Sequence, residues 1–192
     1  MSESVLQLYV GGILAHISMV HLAIIGVLSM ALTVILLIRK KRSEYGAIAL
    51  GITFFFGMVL LDTAVLIRWC GGENHVARIS LESEYYRFSQ GGKIRLVEML
   101  ANIAAFIPFG LFLSEFLASA KRFSAGRRLG LATLAGFGLS LCIECLQLLL
   151  RVGFFELTDL VMNTLGAFVG ALISAGLRKV VGERRRVVKL DG

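Results

Sequence analysis

Four carboxylates stand inside or at the ends of long apolar runs of this chain: Asp62, Glu98, Glu144 and Asp159. Three amides and a guanidinium accompany them, Asn102, Gln147, Asn163 and Arg151. Their types define a chemistry. A carboxylate serves as a general base or an oxygen ligand for a hard divalent ion, an arginine pairs bidentately with phosphate, and amides hydrogen-bond sugar or peptide groups. Their spacing puts them in stripes. Glu98 and Asn102 are four apart; Ser140, Glu144, Gln147 and Arg151 step by four, three and four; so do Asp159, Asn163, Gly166 and Gly170. Residues at such intervals share one face of a helix.

A carboxylate at the centre of a membrane-crossing helix costs roughly 2.5–3.5 kcal/mol, so each needs a reason to be there. Glu144 and Asp159 are the candidate catalytic groups. Asn102, Gln147, Arg151, Asn163, Glu98 and Asp62 are the candidate ligand-binding groups. Simpler roles compete with these: a carboxylate near a helix end reaches the interface, and Asp159 after Thr158 reads as a first-turn acid behind its cap. His16 and His21 read as packing or interface residues. No nucleophile elbow, phosphate loop or His-x-x-x-His spacing is present. The sequence therefore specifies no metal site and no cofactor.

The elements that must position these groups are apolar runs of near 20 residues, the length that crosses about 30 Å of hydrocarbon. They run from about His16 to Ile38, Gly46 to Ile67, Leu96 to Ala118, Leu129 to Leu150 and Thr158 to Leu177. The expected fold is an all-α polytopic bundle of about five spans. Composition agrees: 57% of residues are hydrophobic, 17% are charged and the mean hydropathy is +0.81, far from the balance of a soluble domain.

The formal charge of +7 does not mark a nucleic-acid binder, because Lys and Arg cluster between apolar runs, as topology signals do. Alternate loops carry 14 and 6 of the 20 basic residues. By the positive-inside rule this predicts an external amino terminus and a cytoplasmic carboxy terminus. Most of the polar residues then fall towards the outer surface. Three parts are expected: residues 1–95 with two helices and an external loop, 96–178 with three helices, and a basic tail over 179–192. Within the loop, Tyr85, Tyr86 and Phe88 suit a short interfacial helix, and Trp69 suits the aromatic belt. Cys70, Cys142 and Cys145 form no disulfide framework and read as small packing residues.

The short connection from Arg151 to Leu157 makes the fourth and fifth helices antiparallel neighbours. Their stripes then face each other, and Gly166 with Gly170 allows close backbone approach. Pro108, mid-span in the third helix, frees a backbone carbonyl and favours a bend.

Asn102 through Phe106-Ile107-Pro108-Phe109-Gly110, then Ser140, Glu144, Gln147, Arg151, Asp159 and Asn163-Thr164-Leu165-Gly166-Ala167 with Gly170, resemble the VanZ-like family of bacterial membrane proteins. The resemblance covers about Glu98 to Gly170 and leaves the first two spans, with Asp62, outside it. The family is named for a protein linked to reduced susceptibility to teicoplanin-type antibiotics. The resemblance thus implies a role in the bacterial envelope and singles out Asn102, Glu144, Gln147, Arg151, Asp159 and Asn163.

Three functional readings follow. In the first, the stripes form an outward-opening groove for the headgroup of an envelope lipid or lipid-linked precursor, with membrane lipids as partners. In the second, the protein is an enzyme acting on such a lipid by phosphoryl or acyl transfer, with Glu144 or Asp159 as base or divalent-ion ligand. In the third, it is a small transporter or a partner subunit whose stripes are interhelical glue.

Overall fold

Hydroxyl-bearing residues inside apolar runs need partners where no water is available, and here they bond back onto their own helices. Ser29, Thr53, Thr133 and Thr164 each donate to the carbonyl four residues earlier, at 2.6–2.8 Å. A computed structural model describes residues 19–38, 43–66, 92–120, 122–152 and 155–188. The regular elements among them are helices: α1 (Met19–Ile38), α2 (Glu44–Leu61), α3 (Gly92–Ser119), α4 (Ala125–Leu150) and α5 (Leu157–Val188). A π-helical turn over Asp62–Leu66 prolongs α2.

Caps account for where helices begin. Ser43 accepts from the Gly46 amide at the start of α2, and Ser124 from the Arg127 amide at the start of α4. Four helical stretches are long and apolar enough to cross a membrane, Glu44–Val65, Leu96–Ser119, Ala125–Leu150 and Leu157–Val181, and a shorter apolar stretch covers His21–Leu37. The five-helix expectation stands. α5 runs on to Val188, past the predicted end at Leu177, so the basic tail begins as a continuation of that helix. α3 passes through Pro108 as one helix. His16, Trp69, Cys70 and the predicted interfacial helix with Tyr85, Tyr86 and Phe88 lie outside the described residues.

α3 and α5 form the most intimate pair. A Cβ at Gly110 would collide with the Ala167 backbone, one at Gly166 with the Ile103 carbonyl and one at Gly170 with the Ile107 carbonyl. The two backbones therefore touch without intervening side chains. The small pair on α5 faces α3 and not α4, against which it was expected to pack. α4 meets α5 through side chains, with Ala167 seated against Gly136. A compact apolar centre joins the helices: Val65, Phe106, Ile143 and Ala167 are buried, with Leu60, Leu139 and Leu146 against them.

The radial arrangement is inverted relative to a soluble protein. Met30, Val27, Leu134, Leu149, Leu172 and Leu177 point outward, whereas Asp62, Glu115, Ser140, Glu144, Asn163 and Ser174 are buried. Only an apolar solvent makes that distribution favourable.

Candidate functional site

The predicted stripes converge at one end of the bundle, where α2 and α4 finish and α3 and α5 begin. Glu144 is 2% exposed and is one of the largest fully buried side chains. Its Oε2 accepts the Glu156 backbone amide at 2.9 Å, which pins the chain entering α5 onto the final turns of α4. A carboxylate accepting a peptide N–H makes a charge-assisted bond of roughly twice ordinary strength, and it shapes the hairpin. One turn deeper, Asn163 Nδ2 donates to Ser140 Oγ at 2.9 Å, both side chains being buried. The facing of α4 and α5 stripes expected from their spacing is present.

Gln147 turns the other way. Its Nε2 donates to the Ala64 carbonyl at 3.0 Å, tying α4 to the π-turn of α2. That turn opens with Asp62, 3% exposed, whose Oδ1 lies 3.1 Å from Nδ1 of His21 on α1. π-turns gather at functional positions because they re-aim side chains that a regular helix would direct elsewhere. Here the widened turn carries Asp62 into the polar end. His21 is thus the partner of Asp62 rather than a packing residue alone.

Arg151 stands apart. It lies just past α4 in left-handed conformation, φ 57 and ψ 37, and among the described residues it is the one non-glycine with positive φ. The Arg151 amide donates to the Leu148 carbonyl and the Val152 amide to the Gln147 carbonyl, at 3.3 and 3.0 Å. These two bonds make a Schellman closure, whose left-handed position is normally glycine. An arginine there bears a conformational cost of about 1 kcal/mol. Its side chain is exposed at the rim while Val152 is buried. Asp159, Glu98 and Asn102 are half-buried around the same end, Asp159 in the first turn of α5 and the other two in the early turns of α3.

The eight sequence-predicted residues therefore divide. Glu144, Gln147 and Asn163 are buried and hydrogen-bonded into the frame and Asp62 is buried beside His21, whereas Arg151, Asp159, Glu98 and Asn102 have surface at its edge. No group of three or more His, Cys, Asp or Glu side chains suited to a metal ion occurs among the described residues. Cys142 and Cys145 are free thiols on the outer face of α4, not packing residues within the bundle.

A second polar cluster lies at the opposite end, and the stripes gave no notice of it. Glu115 is buried near the close of α3, where Arg178 of α5 donates to it through Nε at 3.1 and 2.9 Å and through Nη2 at 2.5 Å. Ser174 donates to Glu115 Oε1 at 2.6 Å and sits 3.0 Å from Ser114 Oγ; Tyr45 of α2 donates to Oε2. Two signals were available in the sequence: an acid three residues inside the third apolar run, and Ser174 with Arg178 at i, i+4. Along α3, Glu98 and Glu115 are about 26 Å apart at 1.5 Å per residue.

Comparison with known proteins bears on the family. Protein VanZ of Enterococcus faecium is 33% identical over 85 residues, 43% of this chain and 46% of that protein. The matched stretch thus spans about half of that relative. No solved structure matches. The VanZ/LLP1 family model matches residues 15–178, farther than the resemblance from Glu98 to Gly170, so that His21 and Asp62 fall inside it. With the first two helices as well as the polar stripes accounted for, the chain belongs to the VanZ/LLP1 family.

Proposed function

We propose that this protein is a multi-pass component of the bacterial cytoplasmic membrane that holds the headgroup of an envelope lipid or lipid-linked precursor at its polar end. The amino terminus faces out, the carboxy terminus faces the cytoplasm, and the site opens into the outer leaflet. Membership of the VanZ/LLP1 family supports an envelope role and a link to glycopeptide resistance.

The observation that carries the reading is Arg151. A costly left-handed backbone is retained at the rim for a side chain that is exposed and a few residues from a buried frame of Glu144, Gln147 and Asn163. Strain of this kind persists where a function needs the side chain. A guanidinium at the headgroup level pairs bidentately with phosphate, and Asn102 supplies hydrogen bonds to sugar or peptide. The contacts that Glu144, Gln147 and Asn163 make within the bundle favour binding over turnover, because they commit these groups to holding helices.

Native mass spectrometry with lipid analysis on the gently purified protein is the direct test. A specific anionic lipid should accompany the wild type and be lost from Arg151→Ala inserted at normal level. The same bulk lipids on both proteins would refute the headgroup site. Glu144→Gln adds a second arm: it keeps an acceptor for the Glu156 amide, so the lipid should remain bound. Retained binding with accumulation of an unprocessed lipid in cells would instead establish an enzyme.

A further inference from the structure

The cluster at the far end from the candidate site is built differently from it. Five donor contacts converge on the one carboxylate of Glu115: Arg178 Nε to both oxygens, Arg178 Nη2, Ser174 Oγ and Tyr45 Oη. Both oxygens are occupied, and no acceptor capacity is left for a substrate or an ion. Ser114 and Ser174, directly beneath, are 1% and 0% exposed. The guanidinium carbon of Arg178 also lies 5.6 Å from the centre of the Tyr45 ring, over its face, a cation–π contact. Three helices distant in sequence meet at this point: α2 through Tyr45, α3 through Glu115 and α5 through Arg178 and Ser174. α4 contributes no side chain to it among the described contacts.

The pair is only partly buried, with 9% of the Glu115 side chain and 37% of the Arg178 side chain exposed, so it adds little stability by itself, and its best-attested use is to fix one arrangement of elements against others. We infer that the Tyr45–Glu115–Arg178 cluster is a latch that closes the bundle at the end opposite the candidate site. The glycine contacts of Gly110, Gly166 and Gly170 continue the closure inward along α3 and α5. The latch makes no use of the headgroup reading and stands if that reading fails.

Thiol accessibility in lipid nanodiscs tests it. In a background with Cys70, Cys142 and Cys145 changed to alanine, single substitutions Ser114→Cys and Ser140→Cys report on the two ends, since both serines are at most 1% exposed. The probe is a small water-soluble maleimide. Adding Glu115→Gln should speed labelling at position 114 by about tenfold to a hundredfold, the change expected from losing a charge-assisted hydrogen bond. Labelling at position 140 should not change. The exchanged pair, Glu115→Arg with Arg178→Glu, should slow labelling at 114 again. Tyr45→Phe, which removes one donor and no charge, gives a smaller rise at 114 and keeps the test decisive if Glu115→Gln fails to insert. Unchanged labelling at 114 in both variants would overturn the latch. So would a parallel rise at 114 and 140, because the cluster would then support the fold as a whole rather than closing one end.

Discussion

Arg151 is the side chain on which backbone and function make opposed demands. Arg151→Gly relieves the left-handed strain, so the protein should gain about 1 kcal/mol, read as a higher unfolding temperature in detergent. The same change should abolish lipid retention. A variant both more stable and inactive separates a functional arginine from a structural one, whereas a loss of stability would show that the side chain supports the fold. Asp62→Asn makes a companion case: the amide keeps the shape but removes the charge beside His21, so α1 should become more susceptible to proteolysis while α3 to α5 stay protected. Asp62, Glu144, Gln147 and Asn163 were legible in the sequence because each is a polar group in an apolar run. Glu115 was passed over, since an acid three residues inside its run reads as an end carboxylate that reaches the interface, and its partners come from helices 59 to 70 residues away in the chain. The i, i+4 interval of Ser174 and Arg178 puts them on one face without saying which carboxylate they meet.

At the scale of elements, the α3–α5 contact is the most demanding. Gly170→Ala sets a methyl group against the Ile107 carbonyl and the Leu111 amide, neither of which yields as a side chain end does. It should cost about 1–3 kcal/mol, the range for overpacking, and lower the yield of folded protein. Gly176→Ala, on the same helix with open space around it, should leave thermal unfolding unchanged or slightly improved. Equal effects at the two positions would mean that α3 and α5 do not touch as described. The helices were legible from run length, and most of their described ends to within a few residues, but the continuation of α5 to Val188 was not, because its basic last turns are too polar for an apolar run; the partner of the small pair was not legible either. A stripe of glycines says that a backbone comes close without saying which one. The π-turn at Asp62 was equally silent, since a one-residue widening leaves the hydropathy of α2 unchanged.

For the molecule as a whole, the inverted surface and the division of basic residues argue for one membrane and one orientation. A fluorescent protein that matures only in the cytoplasm should light when fused after Gly192 and stay dark when exported ahead of Met1. The reverse pattern would move the polar end to the cytoplasmic leaflet and exclude an outer-leaflet ligand. The two ends of the bundle are chemically unlike: one is saturated by internal bonds, the other edged by an exposed arginine and half-buried acids. That asymmetry belongs to the tertiary structure, and the stripes alone did not display it.

The length of α4 has a mechanical consequence. Ala125–Leu150 holds 26 residues, about 39 Å at 1.5 Å per residue. Against about 30 Å of hydrocarbon such a helix is accommodated by tilting. α5 carries a similar excess over the 25 residues Leu157–Val181 and is tied to α4 through Glu144 and the Glu156 amide, so the two helices lean as one unit.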